Sequence, residues 1–129
     1  MSNKKKILLA DDSKTVLMME QTLFNRSLYD LVLAQDGKEA VEKALEQKPD
    51  LIFLDVMMPK MNGYEACRML RTYDATRKTP VIMVTTRSEI SSVMEGYQSG
   101  CNEYITKPFR NLVLLEKLQH YLGVAESRG

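Results

Sequence analysis

Asp50-Leu51-Ile52-Phe53-Leu54-Asp55 is the stretch on which the fold turns. Four apolar residues run without a polar break and stop at a carboxylate. A strand with one wet face alternates apolar and polar residues. A strand apolar on both sides fits a parallel sheet covered by helices on both faces. Working outward, the same pattern recurs. Lys6 to Ala10 is a short apolar strand that ends in Asp11-Asp12, and Pro80 opens a strand through Val81, Ile82, Met83 and Val84 to Thr85. Asp30 to Ala34 and Tyr104 to Thr106 supply two more, the last ending at Lys107-Pro108.

Helical spacing fills the gaps. Ser13 offers an N-cap to a helix whose stripe is Val16, Met19, Leu23 and Phe24. Asp36-Gly37 turns into a helix lined by Ala40, Val41, Ala44 and Leu45, which Pro49 ends. Asn62-Gly63 precedes a helix over 63–73. Ser88 can cap a helix running to about Tyr97, with Gly100 closing it. A last helix carries Leu112, Leu115, Leu118 and Leu122 and stops at Gly123. Strand and helix thus alternate through five βα units. That pattern gives an α/β doubly wound parallel sheet with right-handed crossovers. Two strand orders suit it, an extended Rossmann half or the flavodoxin-like 2-1-3-4-5. Periodicity does not choose between them.

Bulk properties narrow the class. The 129 residues suit one domain with its own core. Lys plus Arg total 18 and Asp plus Glu 17, a net charge of +1. That balance argues against bulk electrostatic binding to nucleic acid. The first apolar run, Ile7 to Ala10, is too short for a signal-peptide core or a membrane span. A cytoplasmic protein without membrane insertion is expected. Cys67 and Cys101 form no CxxC pair or zinc spacing and read as free, half-buried thiols.

The unusual polar residues fall immediately after strands. Asp11 and Asp12 come after the first, Asp55 after the third, Thr85 ends the fourth and Lys107 comes after the fifth. In open α/β sheets the ligand crevice lies at the carboxyl ends of the strands, where strand order reverses. Under the order 2-1-3-4-5 the three acids meet there. Crowded carboxylates repel one another, and a hard divalent cation such as magnesium relieves that. Asp12 and Asp55 are the expected direct ligands, with Asp11 acting directly or through water. Lys107 adds a fixed positive charge and Thr85 a hydroxyl. That set suits phosphoryl transfer to Asp55 as a carboxylate nucleophile. Each residue alone has a plainer role: Asp11 or Asp12 as a helix cap, Thr85 as a strand end, Lys107 as a solvated charge. Asp55 is harder to dismiss, because an uncompensated carboxylate after an apolar run is costly.

These residues carry a resemblance. The runs 7–13, 51–59, 61–63, 80–86 and 104–109 are similar, in sequence and order, to the motifs of bacterial response-regulator receiver domains. The likeness spans about residues 5–122, which implies tails at 1–4 and 123–129. It also implies the strand order 2-1-3-4-5 and a phosphoryl group arriving on Asp55 from a phosphohistidine of a sensor histidine kinase or a phosphotransfer protein. Magnesium would be held by Asp11, Asp12, Asp55 and the backbone carbonyl of Met57. Thr85 would turn toward the phosphoryl group, Lys107 would pair with it, and Tyr104 would be the switch aromatic. The Lys107–Pro108 bond would be cis.

The resemblance implies a switch rather than an enzyme. It would signal to a downstream target protein, as in chemotaxis, through the face of the last two helices and last strand, where Tyr97, Tyr104, Leu114 and Tyr121 are candidates. With no output domain after residue 122, a stand-alone regulator is expected. A receiver excised from a larger response regulator or hybrid kinase is the alternative.

Two positions depart from the commonest pattern. Thr86 stands where the family usually has a small residue, and Met57 lacks a polar group to orient water. Slow self-dephosphorylation is the expectation. Three rivals fit less well. An aspartate-nucleophile phosphatase needs an acid at position 57. A nucleotide or flavin domain needs a phosphate-cradling loop where Asp11-Asp12 stand. An inactive receiver would lack one of the acids or the lysine.

Overall fold

The computed structural model describes residues 4–24 and 26–123, so most of both expected tails lies outside the described residues. Strands and helices alternate. They are β1 (Lys5–Ala10), α1 (Lys14–Leu23), β2 (Tyr29–Ala34), α2 (Gly37–Gln47), β3 (Leu51–Leu54), α3 (Gly63–Leu70), β4 (Val81–Thr85), α4 (Ile90–Gln98), β5 (Glu103–Thr106) and α5 (Asn111–Leu122). All pairings are parallel and the order is β2-β1-β3-β4-β5. The chain reverses direction across the sheet between β1 and β3, as a flavodoxin-like fold does.

The pleat sorts the apolar strand residues into two cores. Leu8, Ile52, Leu54 and Met83 face α2 and α3, where Ala40, Ala44, Ala66 and Leu70 are buried. Ile7, Leu9, Phe53 and Val84 face α1 and α5, where Leu17, Phe24, Leu114 and Leu118 are buried. Buried area on both faces explains why the strands carry no polar alternation. Helix starts obey their caps. Ser13 accepts from the Val16 N–H, Asp36 from Glu39, and Asn62 forms a reciprocal capping box with Glu65. Lys48, at φ 50°, ends α2 one residue before Pro49.

Four expectations need correction. In α1, Met19 points to solvent, and Leu17 and Glu20 take the inner face with Phe24. In α5, Leu112 is exposed and the inner row is Leu114, Leu118 and Leu122, an i, i+4 phase. A helix that is mostly apolar all round supports two stripes at helical spacing, and packing against the sheet selects one. Ser88 does not cap α4; Glu89 stands at its N-cap without a side-chain cap bond. The third helix stops at Leu70 rather than Tyr73, because residues 71–79 turn back toward β4. Cys67 and Cys101 are free and buried.

Candidate functional site

The backbone ladder runs one bond beyond the strands and so fixes the residue after each. Asp11 N–H donates to Ala34 O (3.0 Å), Asp55 N–H to Ala10 O (2.9 Å) and Lys107 N–H to Thr85 O (2.8 Å). Each strand-end residue is thereby held before its side chain makes any contact. The loop after β3 folds back, with Gly63 N–H donating to Val56 O at 2.9 Å. A Cβ at Gly63 would stand 2.3 Å from the Asp55 carbonyl oxygen, so only glycine permits that return.

Asp11, Asp12 and Asp55 converge, each offering a carboxylate oxygen within 4.8 Å of the others. Asp11 and Asp55 are buried, while Asp12 is open to solvent. Lys107 enters from the far side of the sheet. Its Nζ lies 3.0 Å from Asp11 Oδ2 and 4.0 Å from Asp55 Oδ2. Asp11 Oδ1 also accepts from Ser13 N–H at 2.9 Å, which ties the start of α1 to the cluster. Burial, then the Asp11 charge, pushes the Asp55 carboxyl up to about 6, against the pull of Lys107 and of bonds from the Met57 and Val56 backbone. One ammonium shared by two buried acids, with a third acid beside them, leaves the pocket short of positive charge. The donors are all oxygen and one side is open, which fits a hard, partly hydrated magnesium ion.

The other expected residues divide. Thr85 is fully buried, and its Oγ1 accepts from Arg87 N–H at 3.3 Å within its own loop. Tyr104 O–H donates to Arg87 O (2.8 Å) and lies 3.4 Å from Tyr64 Oη. Its ring rests on α4 where Gly96 leaves room, since a Cβ there would approach Tyr104 Cδ2 to 2.6 Å. The Lys107–Pro108 peptide is cis. Met57 N–H donates to Asp55 Oδ1 at 3.3 Å, so the Met57 backbone crosses the mouth of the cluster. Tyr97 is exposed, and Tyr121 O–H donates to Glu103 Oε2 at 2.7 Å. Leu114 is not on that face. It is fully buried beneath α5, because the 114/118/122 row faces the sheet.

Sequence reasoning missed three residues here. Arg87 organises the β4–α4 loop through its backbone, which no side-chain motif reveals. Gly96 was readable as a glycine inside a helical pattern, where glycine is costly without a packing reason. Glu20 gave no clear signal, because an acid on a helix is ordinarily counted to the wet side. It is buried, and burial followed by the Asp11 charge pushes its carboxyl up to about 8.

No described helix is long and apolar enough to cross a membrane. Residues 7–119 match the family described as the response regulator receiver domain. The chain is 43% identical over 105 residues to the alkaline phosphatase synthesis transcriptional regulatory protein PhoP of Bacillus subtilis, covering 81% of this chain and 43% of that protein. It is 33% identical to protein PilG of Pseudomonas aeruginosa, covering 91% of this chain and 87% of PilG. Among solved structures it superposes on the receiver domain of a Pseudomonas aeruginosa sensor histidine kinase, described with a magnesium ion coordinated in the active-site cleft. The TM-score is 0.85 at 30% identity, covering 94% of this chain and 99% of that one. The chain thus spans less than half of PhoP and most of PilG. Acids, lysine and strand order occur together in a sequence that matches over most of its length, and the chain belongs to the response-regulator receiver family of two-component signalling.

Proposed function

We propose that this chain is a phosphorylation switch whose acceptor is Asp55. The observation that carries the reading is the convergence of Asp11, Asp12, Asp55 and Lys107 from three different strand ends on one crevice. Asp55 is the acceptor because Asp11 is already engaged by Lys107 at 3.0 Å and by the Ser13 N–H, whereas the Asp55 carboxylate lies 4.0 Å from Lys107 and faces the loop at Met57. An Asp55 oxygen attacks the phosphorus of a phosphohistidine on a sensor kinase or phosphotransfer protein. The O–P bond forms as the P–N bond breaks, and the imidazole leaves with the electron pair. Lys107 stabilises charge on the phosphoryl oxygens, and the Thr85 hydroxyl donates to one of them after leaving Arg87 N–H. Asp11, Asp12, Asp55 and the Met57 carbonyl would hold magnesium, which supplies charge neutralisation for an incoming dianion.

Phosphorylation adds roughly −1.5 to −2 charge at Asp55. That charge biases two states of the β4–α4 loop. Thr85 and Tyr104 both hold Arg87, one at its N–H and one at its carbonyl, so drawing Thr85 to the phosphoryl group frees the loop that anchors Tyr104. The signal reaches a partner protein at the face of α4, β5 and α5, where Tyr97, Tyr104 and Tyr121 lie. The chain acts as a stand-alone cytoplasmic regulator and not as an enzyme. The match to most of PilG fits a stand-alone regulator, and the matches to less than half of PhoP and to a sensor kinase's receiver domain fit a domain of a longer protein.

Incubation with acetyl phosphate and magnesium, followed by intact mass, tests the reading. A single phosphoryl adduct is expected on the wild type. It should be absent with chelator and in Asp55→Asn. An adduct that persists in Asp55→Asn overturns the assignment.

A further inference from the structure

Helix α4 is held to the molecule differently from the other helices. Its buried residues are Ser92 and Gly96, about one turn apart, and neither carries an apolar side chain. Val93 is half-buried, and Ile90, Met94 and Tyr97 point to solvent. Its N-cap, Glu89, makes no side-chain cap bond. A helix is ordinarily fixed on a sheet by burying an apolar stripe. Polar contacts take that place here. Tyr64, in the first turn of α3, is buried, and its O–H donates to Ser92 O at 3.0 Å. Arg68 pairs with Glu95 at 3.2 Å, both side chains being about half exposed. Tyr104 closes the outer side of the Tyr64 bond. Its ring lies against α4 at Gly96, and its oxygen is 3.4 Å from Tyr64 Oη. A phenol has one proton, and Tyr64 gives its own to the nearer acceptor, Ser92 O.

We infer that Tyr64 is a positioning residue of the switch: its hydroxyl pins the first turn of α4 in the unphosphorylated state, and departure of Tyr104 wets and weakens that pin. The inference rests on the phosphorylation reading above and names the residue through which movement of Tyr104 reaches α4. A hydrogen bond shielded from water is stronger than the same bond exposed to it. The Tyr64–Ser92 bond therefore favours the state in which Tyr104 is seated. Thr85 and Tyr104 both hold Arg87. Once Thr85 is drawn to the phosphoryl group, Arg87 O leaves the Tyr104 hydroxyl, and the ring no longer covers the Tyr64 bond. With no buried apolar side chain to keep it, α4 then shifts, and the exposed row of Ile90, Met94 and Tyr97 moves with it. The exposed Arg68–Glu95 pair contributes little by comparison. Removing the pin thus biases the same equilibrium that phosphorylation biases.

The test uses Tyr64→Phe in the full chain, which keeps the buried ring and removes only the hydroxyl. Two quantities are measured: amide chemical shifts, and the rate of adduct formation with acetyl phosphate and magnesium by intact mass. In the unphosphorylated variant the α4 signals should move toward their positions in the phosphorylated wild type. Adduct formation should be faster by about threefold to fivefold, the worth of one buried hydrogen bond. A purely structural role would leave the adduct rate alone and confine the shifts to α3, and that result overturns the inference. Glu95→Gln, which removes the exposed ion pair, should change the adduct rate by less than about twofold. An effect equal to that of Tyr64→Phe overturns the inference too. The shifts are also compared between Asp55→Asn and Asp55→Asn/Tyr64→Phe, where the pin acts without any phosphoryl group and α4 should again be displaced. No adduct on the wild type, with that displacement retained, sinks the acceptor reading and leaves the pin standing. An adduct that forms on the wild type and no faster on Tyr64→Phe sinks the pin and leaves the acceptor reading standing.

Discussion

The two ends of the sheet each gather polar groups around one cation, and they treat it oppositely. At the amino end, Arg71 stands just after α3 and spends every guanidinium nitrogen on neutral acceptors. Nε donates to Gly100 O (3.0 Å), one Nη to Thr76 O and Thr79 O (3.2 and 2.8 Å), and the other to Asn102 Oδ1 (3.0 Å). Asn102 in turn caps the start of β4, accepting from Val81 N–H at 2.8 Å. Everything there is matched. At the carboxyl end, Lys107 is one ammonium among three carboxylates. Polar groups that satisfy one another hold a fold; polar groups left short of charge await something that is not part of the chain. The contrast locates the working end of the molecule independently of any motif.

The largest effect should come from breaking the matched end. Arg71→Ala takes the guanidinium donor from Gly100 O and Thr79 O, and leaves Thr76 O and Asn102 Oδ1 with only their bonds from Thr79 N–H and Val81 N–H. It should cost about 2–4 kcal/mol, or roughly 8–15 °C in Tm for a domain of this size. Calorimetry with and without magnesium should give the same loss. A loss under about 1 kcal/mol would mean that the Arg71 knot contributes little.

At the unmatched end the sign reverses. Asp55→Asn should raise the stability of the magnesium-free protein by about 1–3 kcal/mol at pH 8. The pH dependence comes from the direction of the shifts. Asp55 is raised from 3.8 to about 6, and Glu20 from 4.5 to about 8. Both favour the protonated form in the folded state. Their stabilising share is complete below the unfolded values and is lost as pH climbs through the folded ones. Magnesium-free wild type should therefore lose stability between about pH 5 and 8. Asp55→Asn should flatten the lower part of that slope and Glu20→Gln the upper part. Denaturant midpoints at five pH values decide it, and a wild-type profile flat over that window refutes both shifts.

Magnesium should then restore the stability that crowding removes. At ten times its dissociation constant the ion should stabilise the wild type by about 1.4 kcal/mol. Asp12→Ala should abolish the gain. Asp50→Ala should keep it. Asp50 sits at the amino end, where its Oδ2 accepts from Lys6 N–H at 2.8 Å. A gain that survives Asp12→Ala would place the ion elsewhere.

Legibility in the sequence divides along the same line. Asp11, Asp55, Thr85 and Lys107 were legible because helices cover both sheet faces, so any polar residue interrupting an apolar strand marks a strand end. Arg71 was illegible because its partners are backbone carbonyls, which leave no residue signature. Helix phase was half legible. Ala40, Val41, Ala44 and Leu45 are adjacent on one side of α2, whose other side chains are polar, so only one stripe was available. In α1 and α5, Met18, Met19, Leu112 and Leu115 offered competing stripes, and only the sheet could choose. Glu20 was hidden by the same ambiguity, since an acid on a helix is ordinarily counted to the wet side.

The smallest effect concerns how long the unmatched end keeps its phosphoryl group. Hydrolysis needs a water in line behind the phosphorus, held by an acceptor in the loop. Position 57 overlooks that approach, and its thioether is a weak acceptor. The Met57 sulfur is also occupied, with Arg87 Nε 2.9 Å away, so the β3–α3 and β4–α4 loops are bridged at the mouth of the cleft. Thr86 stands beside that bridge with its side chain exposed. Both features disfavour an ordered attacking water, and the phosphorylated protein should be long-lived. Met57→Asn supplies an acceptor and opens the bridge. It should shorten the lifetime by several-fold, within about tenfold, a change of roughly 1 kcal/mol in barrier. Thr86→Ala should shorten it about twofold. Thr79→Ala at the amino end should leave it unchanged. Decay of the intact-mass adduct after acetyl phosphate is removed reads all three. If Met57→Asn leaves the decay rate at the wild-type value, water access is set elsewhere, and the sulfur–guanidinium bridge is only packing.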